Sequence, residues 1–287
     1  MTALPNGLAD LADRYDVLLS DVWGVIHNGR ESFPEACAAL ARFRAEKGPV
    51  VLISNSPRPA SDVVAQLDAL KVPREAWSAF VTSGDATRVL LGDRAASGPA
   101  WRIGPDRDGP LYEGLGLTFG EPDEAAFITV TGPYDDEVET PEDYRERFVG
   151  PASRRLAMIC ANPDRVVQRG DKLIYCGGAL ADLYKDMGGE VLMAGKPYAP
   201  IYDLSLKEAS RLLGREVDPK RVLCIGDGVH TDVQGAEDHG LDCLFIARGI
   251  HGEAAMGPDG RLSAAGVDAL LAAEGVKTTY AMADLIW

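Results

Sequence analysis

No apolar run in this 287-residue chain approaches the roughly 20 residues that a bilayer span requires. Met1 to Asp13 carry acids and lack a basic leader, so no export signal is predicted. Basic residues are scarce. With 29 Lys and Arg against 44 Asp and Glu, the formal charge is -15, which repels nucleic-acid backbones and anionic lipid surfaces. Neither nucleic acid nor membrane is an expected partner, and a phosphorylated ligand has to be small and held by local positive groups or a metal. The five cysteines (Cys37, Cys160, Cys176, Cys224, Cys243) form no CxxC pair, and most lie in apolar runs where a thiol behaves as a small hydrophobe. A reducing, cytoplasmic location is expected. No solenoid-length repeat or low-complexity tract is present.

What the chain does contain is an alternation of apolar runs and helical spacings. Tyr15–Ser20 reads as a strand, Pro34–Lys47 as a helix with Gly48 behind it, Pro49–Ile53 as a strand covered on both faces, and Ala60–Leu70 as a helix. The C-terminal part repeats this with strands at 191–194, 221–226 and 243–247 and helices around 201–213 and 232–238. Such βαβα alternation predicts a doubly wound parallel sheet of Rossmann-like type. The middle of the chain has its own strand candidates at 101–103, 126–130 and 156–160 and reads as an inserted α/β cap. The expected domains are a discontinuous core, 1–83 with 191–287, and a cap, 84–190. The acidic run Asp135–Glu139 in the cap is read as a solvated loop without chemistry. The apolar end, Tyr280–Trp287, is able to dock on the core or on a second copy, so a homo-oligomer is one expectation.

In an open parallel sheet the ligand lies beyond the carboxyl ends of the strands, where four polar clusters fall: Asp21, Ser54-Asn55, Lys196 and Gly226-Asp227. Carboxylates at two strand ends can share a Mg²⁺ and leave its other positions to a phosphate. A lysine and a hydroxyl then cover what the metal leaves, with Asp21 as nucleophile. Each residue also has a plainer reading. Lys196 before Pro197 fits a surface turn, Ser54 a helix cap, Asp227 and Asp232 the caps of a strand-to-helix turn, and Arg58 either a phosphate contact or a surface arginine.

Four segments in order, Asp21-Val22-Trp23-Gly24-Val25, Ile53-Ser54-Asn55, Gly195-Lys196-Pro197 and Gly226-Asp227-Gly228-Val229-His230-Thr231-Asp232, resemble the four motifs of the haloacid dehalogenase superfamily. Ala161-Asn162-Pro163-Asp164 and Cys176-Gly177-Gly178-Ala179 are similar to the cap of its class IIA phosphatases, the p-nitrophenyl phosphatase and sugar phosphatase-like branch. The resemblance implies Mg²⁺ held by Asp21, Asp227 and the Trp23 carbonyl, with Asp232 behind them. It implies catalysis by Asp21, Ser54 and Lys196, and a small phosphorylated metabolite contacted by Ser54, Asn55, Lys196, Asn162, Asp164 and Gly177.

The family's phosphatases carry a second aspartate two residues after the nucleophile to protonate the leaving oxygen; this chain has Trp23 there. Such acid–base catalysis is worth roughly 10²–10⁴-fold. Three readings stand: a phosphohydrolase restricted to good leaving groups or using a surrogate acid (His27 or Asp164), a phosphate-binding module without turnover, and a metal-free dehalogenase, against which the intact GDxxxTD pattern argues. Trp23 itself reads as core packing that also fills space near the nucleophile.

Overall fold

The computed structural model describes residues 1–169, 172–249, 255–256 and 261–287. The chain begins with β1 (Val17–Ser20), α1 (Pro34–Glu46), β2 (Val50–Ser54), α2 (Ala60–Ala69), β3 (Ala79–Thr82) and α3 (Ser83–Gly92). It continues through β4 (Ala100–Ile103), β5 (Phe127–Val130), α4 (Arg145–Ser153), β6 (Ala157–Cys160), the hairpin β7 (Val166–Arg169) and β8 (Lys172–Tyr175), α5 (Gly177–Asp186) and β9 (Glu190–Met193). Then come α6 (Ala199–Leu213), β10 (Val222–Gly226), α7 (Gln234–Asp238), β11 (Asp242–Ile246), α8 (Ala264–Ala273) and β12 (Tyr280–Met282). Among the described residues no helix is long and apolar enough to cross a membrane.

The chain divides into two compact units, Met1–Ser54 with Val64–Val81 and Tyr202–Trp287, and Asn55–Val63 with Thr82–Ile201. The first holds a six-stranded sheet in the order β12-β11-β10-β1-β2-β3. The pairs β1–β2, β1–β10, β10–β11 and β11–β12 are parallel. Strands β1, β2 and β10 are buried on both faces, apart from the half-buried Ser54, as unalternating apolar runs require. Helix α1 starts on Pro34, whose missing N–H costs nothing at a first turn, and buries Ala36, Cys37, Ala39, Leu40 and Phe43 along one face. These pack with Leu18, Leu52, Leu223 and Leu244 in one apolar cluster. The C-terminal stretch docks on this same core: Tyr280, Met282 and Leu285 belong to the cluster, and Trp287 packs against it beneath the Arg42 guanidinium, 4.6 Å from the ring centroid.

Asp16, at the entrance to β1, accepts hydrogen bonds from Arg221 at 2.6 and 2.8 Å and another from Arg215. Its carboxyl is held below the usual range first by the Arg221 bond, with burial opposing and Arg215 assisting. The unfolded chain, with Asp near its ordinary value of about 3.9, takes up the proton more readily than the folded one. This stabilisation is therefore complete above about pH 5 and is lost progressively as pH falls through the unfolded value toward the lowered folded one. Both arginines are about half exposed, so solvent screening keeps the contribution small. Asp16→Asn is expected to lower the melting temperature at pH 7 and to flatten the acid limb of a pH–stability profile. An unchanged acid limb would show that the pair adds nothing.

The second unit is built on a four-stranded sheet, β4-β5-β6-β9, all parallel, with the antiparallel β7–β8 hairpin beside it in sequence. The run at 191–194, expected in the core sheet, is here β9, paired with β6. An apolar run specifies a strand but not its neighbour, and the partial exposure of β9 marks it as an edge rather than a covered core strand. Trp101, Ile128, Tyr144, Phe148, Leu180 and Tyr184 form this unit's own core. The acidic run is tied down, with Tyr144 donating to Glu139 at 2.6 Å and Lys172 pairing with Glu137 at 2.9 Å.

Candidate functional site

Strand order in the six-stranded sheet reverses between β1 and β10, and the carboxyl ends of adjacent parallel strands lie about 4.8 Å apart. Asp21 leaves β1 there, its amide donating to the Ile225 carbonyl at 2.7 Å, while Ser20 Oγ donates to the Asp21 carbonyl at 2.9 Å. Asp227 leaves β10 one residue beyond Gly226, and β2 ends at Ser54 on the other side of β1. After Asp227 a single turn of π-helix, Val229–Val233, widens the backbone before α7 and swings Asp232 back toward the strand end. There Asp232 accepts from the Gly228 amide at 3.1 Å and from Thr231 Oγ1 at 3.3 Å. Tyr202, stacked on His239 with ring centroids 4.4 Å apart, donates to the Thr231 carbonyl at 3.4 Å and backs the turn.

Asp21, Asp227 and Asp232 thus each bring a carboxylate oxygen within 4.8 Å of the others, and all three are buried. At an effective dielectric near 20 such a spacing implies repulsion on the order of 3 kcal/mol per ionised pair, which a cation relieves. An all-oxygen donor set suits a hard divalent ion. The backbone is built close around the trio. A Cβ at Gly24 or at Gly249 would fall 2.0 Å from Asp227 Oδ2, and one at Gly226 would fall 2.1 Å from Asp232 Cγ. The residues therefore fit a metal of this class. Gly24 also has φ +80°, so Gly24→Ala meets both backbone strain and the Asp227 carboxylate. It is expected to weaken divalent-cation binding at least tenfold, read as a lost cation-dependent rise in melting temperature; full retention would show that the loop gives way.

Trp23 is 52% exposed, so the reading as core packing does not hold. The loop after Asp21 turns back on itself through Gly24 N–H to the His27 carbonyl at 2.8 Å and Ile26 N–H to the Val22 carbonyl at 3.0 Å, which leaves side chain 23 pointing out of the core. His27 is buried, and its Nδ1 accepts from the Gly29 amide at 3.0 Å. Burial holds its pKa below the usual value. The acceptor role of Nδ1 assigns the neutral Nε2–H form, a poor proton donor and a good loop brace.

Asn55, Asn162, Asp164 and Lys196 lie in the second unit and form one hydrogen-bonded cluster. Asn55 Oδ1 accepts from the Lys196 amide at 2.7 Å, and its Nδ2 donates to the Lys196 carbonyl at 3.2 Å and to Asp164 Oδ1 at 3.0 Å. Asn162 Oδ1 accepts from the Asp164 amide at 3.2 Å, and the Gly178 amide donates to the Asp164 carbonyl at 3.1 Å. Gly178 is required by closeness, since a Cβ there would fall 2.1 Å from the Pro163 carbonyl oxygen, whereas one at Gly177 would meet the Asn162 carbonyl oxygen at a tight 3.1 Å. Lys196 is buried, which removes the surface-turn reading. Arg58 contributes its carbonyl, which accepts from Thr82 Oγ1 at 2.7 Å. Sequence reasoning missed Gly24 and Gly249, whose role is an approach between distant segments, and Ser83, whose buried Oγ has no hydrogen-bond partner.

Two family models match the chain, one described as haloacid dehalogenase-like hydrolase over residues 18–118 and one as HAD-hydrolase-like over residues 193–273. A crystal structure of a haloacid dehalogenase-like hydrolase from Brucella suis 1330 is 47% identical, covers 99% of this chain and 100% of that one, and superposes with a TM-score of 0.83. The 5′-nucleotidase YutF of Bacillus subtilis is 27% identical over 240 residues, 82% of this chain and 88% of the nucleotidase. A p-nitrophenyl phosphatase from Archaeoglobus fulgidus shares the fold, with 20% identity, coverage of 94% and 96%, and a TM-score of 0.71.

Proposed function

This chain belongs to the haloacid dehalogenase-like hydrolases, and from that membership we propose a Mg²⁺-dependent phosphohydrolase that acts on a small phosphorylated metabolite through Asp21. The observation that carries this reading is the buried Asp21–Asp227–Asp232 trio at the point where the strand order reverses. Relatives named as a 5′-nucleotidase and a p-nitrophenyl phosphatase support the phosphate ester as substrate class.

In this mechanism an Asp21 carboxylate oxygen attacks phosphorus, and the bond to the leaving oxygen breaks with its electron pair departing on that oxygen. Water then attacks the phosphorus of the aspartyl phosphate, releasing inorganic phosphate and restoring the carboxylate. Mg²⁺, when bound by Asp21, Asp227 and the Trp23 carbonyl with Asp232 behind them, neutralises phosphoryl charge. Ser54 donates a hydrogen bond to a phosphoryl oxygen, and Lys196, braced by Asn55, offsets its negative charge. Asn162, Asp164 and Gly177 serve the leaving-group side. Position 23 has no carboxyl group to protonate the departing oxygen, and neutral His27 is a weak substitute, so the enzyme depends on leaving groups that depart as stable anions.

The test is Mg²⁺-dependent phosphate release from an aryl phosphate beside an alkyl phosphate. Aryl turnover well above alkyl turnover is expected. Equal rates would point to a surrogate acid. Failure to turn over either ester, with divalent-cation binding retained, would make this a phosphate-binding protein, a reading that the loss of the second aspartate also favours.

A further inference from the structure

We propose that Trp23 is a stacking platform that selects an aromatic leaving group, so that the substrate is an aryl or heteroaryl phosphate; this rests on the phosphohydrolase reading above. Three observations carry it. The first is place: Trp23 lies two residues from Asp21, a Cα separation of about 7 Å at most, and the next residue, Gly24, packs directly on the Asp227 carboxylate. The indole is therefore rooted in the loop that leaves the nucleophile, beside the acidic trio.

The second is a ring that no cation among the described residues covers. Trp77, Trp101 and Trp287 each have an arginine over the ring, at 4.9, 4.9 and 4.6 Å from the centroid. Among the described residues Trp23 has none, and it is the tryptophan left half in water.

The third is that the ring is held. His27 meets it edge-on, with centroids 5.3 Å apart and planes at 81°. Its six-membered ring lies on Gly29, where φ is +82° and a Cβ would fall 2.2 Å from Cη2. An indole fixed before the ligand arrives forfeits little entropy on stacking.

The chemistry agrees with the geometry. Without an acid at position 23, the departing oxygen has to carry its own negative charge, and attachment to an aromatic ring provides that stability as well as the flat surface that an indole stacks on.

Acetyl phosphate separates the two halves of this argument, because its leaving group is a stable anion with no ring. The ratio of kcat/KM for 1-naphthyl phosphate to that for acetyl phosphate is expected to fall about tenfold in Trp23→Ala, mainly through KM, and to be kept in Trp23→Phe. Calorimetric binding of 1-naphthyl phosphate relative to inorganic phosphate, measured in the Asp21→Asn background with and without Trp23→Ala, gives the same ratio where turnover is absent. A ratio unmoved by Trp23→Ala, or moved equally by Trp23→Phe, overturns the platform. Loss of turnover on both substrates with a surviving tenfold binding ratio would instead overturn the hydrolase reading and leave the platform standing.

Discussion

Asp21→Asn is expected to lower Mg²⁺-dependent phosphate release from an aryl phosphate by at least 10⁴-fold, roughly what removal of a covalent nucleophile costs. The substitution preserves shape and the backbone bond from the Asp21 amide to the Ile225 carbonyl, so β1 and β10 should pair as before. What changes is charge and nucleophilicity. An amide oxygen is too weak to displace even a good leaving group. Removal of one member of a crowded buried trio also relieves repulsion, so the metal-free variant should be at least as stable as the parent. The same loss of charge weakens the cation site. The rise in melting temperature on adding Mg²⁺ should therefore shrink in the variant. Kinetics and thermal melts with and without Mg²⁺ check all three statements together, and full activity in a folded variant would place the nucleophile elsewhere.

Trp23→Asp is expected to raise turnover of an alkyl phosphate by roughly 10²–10⁴-fold, the usual value of a positioned general acid. Alkoxides are poor leaving groups, so the gain should be far smaller for an aryl phosphate. Loss of the indole should be tolerated, since half of it lies in water and its neighbours are His27 and Gly29 rather than the core. The variant should also acquire a new ionisation in its pH–rate profile. If alkyl turnover stays flat while the variant folds and binds metal, the loop from Val22 to Phe33 does not aim side chain 23 at the leaving oxygen. The proposed restriction to good leaving groups would then lose its basis in position 23.

Much of the architecture was legible because it rests on local pattern. Unalternating apolar runs marked β1, β2 and β10, and Pro34 with the apolar spacing behind it marked α1. Since parallel strands point the same way, Asp21 and Asp227 were bound to emerge at one edge of the sheet. Adjacency of β1 and β10 is a property of strand order, which no local pattern contains. That adjacency, together with the π-turn that returns Asp232 to Gly228, makes three acids a cluster. The same limit explains β9, whose apolar run could join either sheet until its neighbour β6 was known.

By itself the sequence determined the α/β class, the order of the motifs and the absence of a carboxylate at position 23. Only the tertiary structure decided that Trp23 faces water over Gly29 and that Gly24 and Gly249 close on Asp227. It also decided that Asn55 braces Lys196 and that the C-terminal Trp287 caps its own core. Composition and periodicity describe neighbours along the chain, whereas exposure, close approach and charge clustering are set by residues tens to hundreds of positions apart, which meet only when the sheet is assembled.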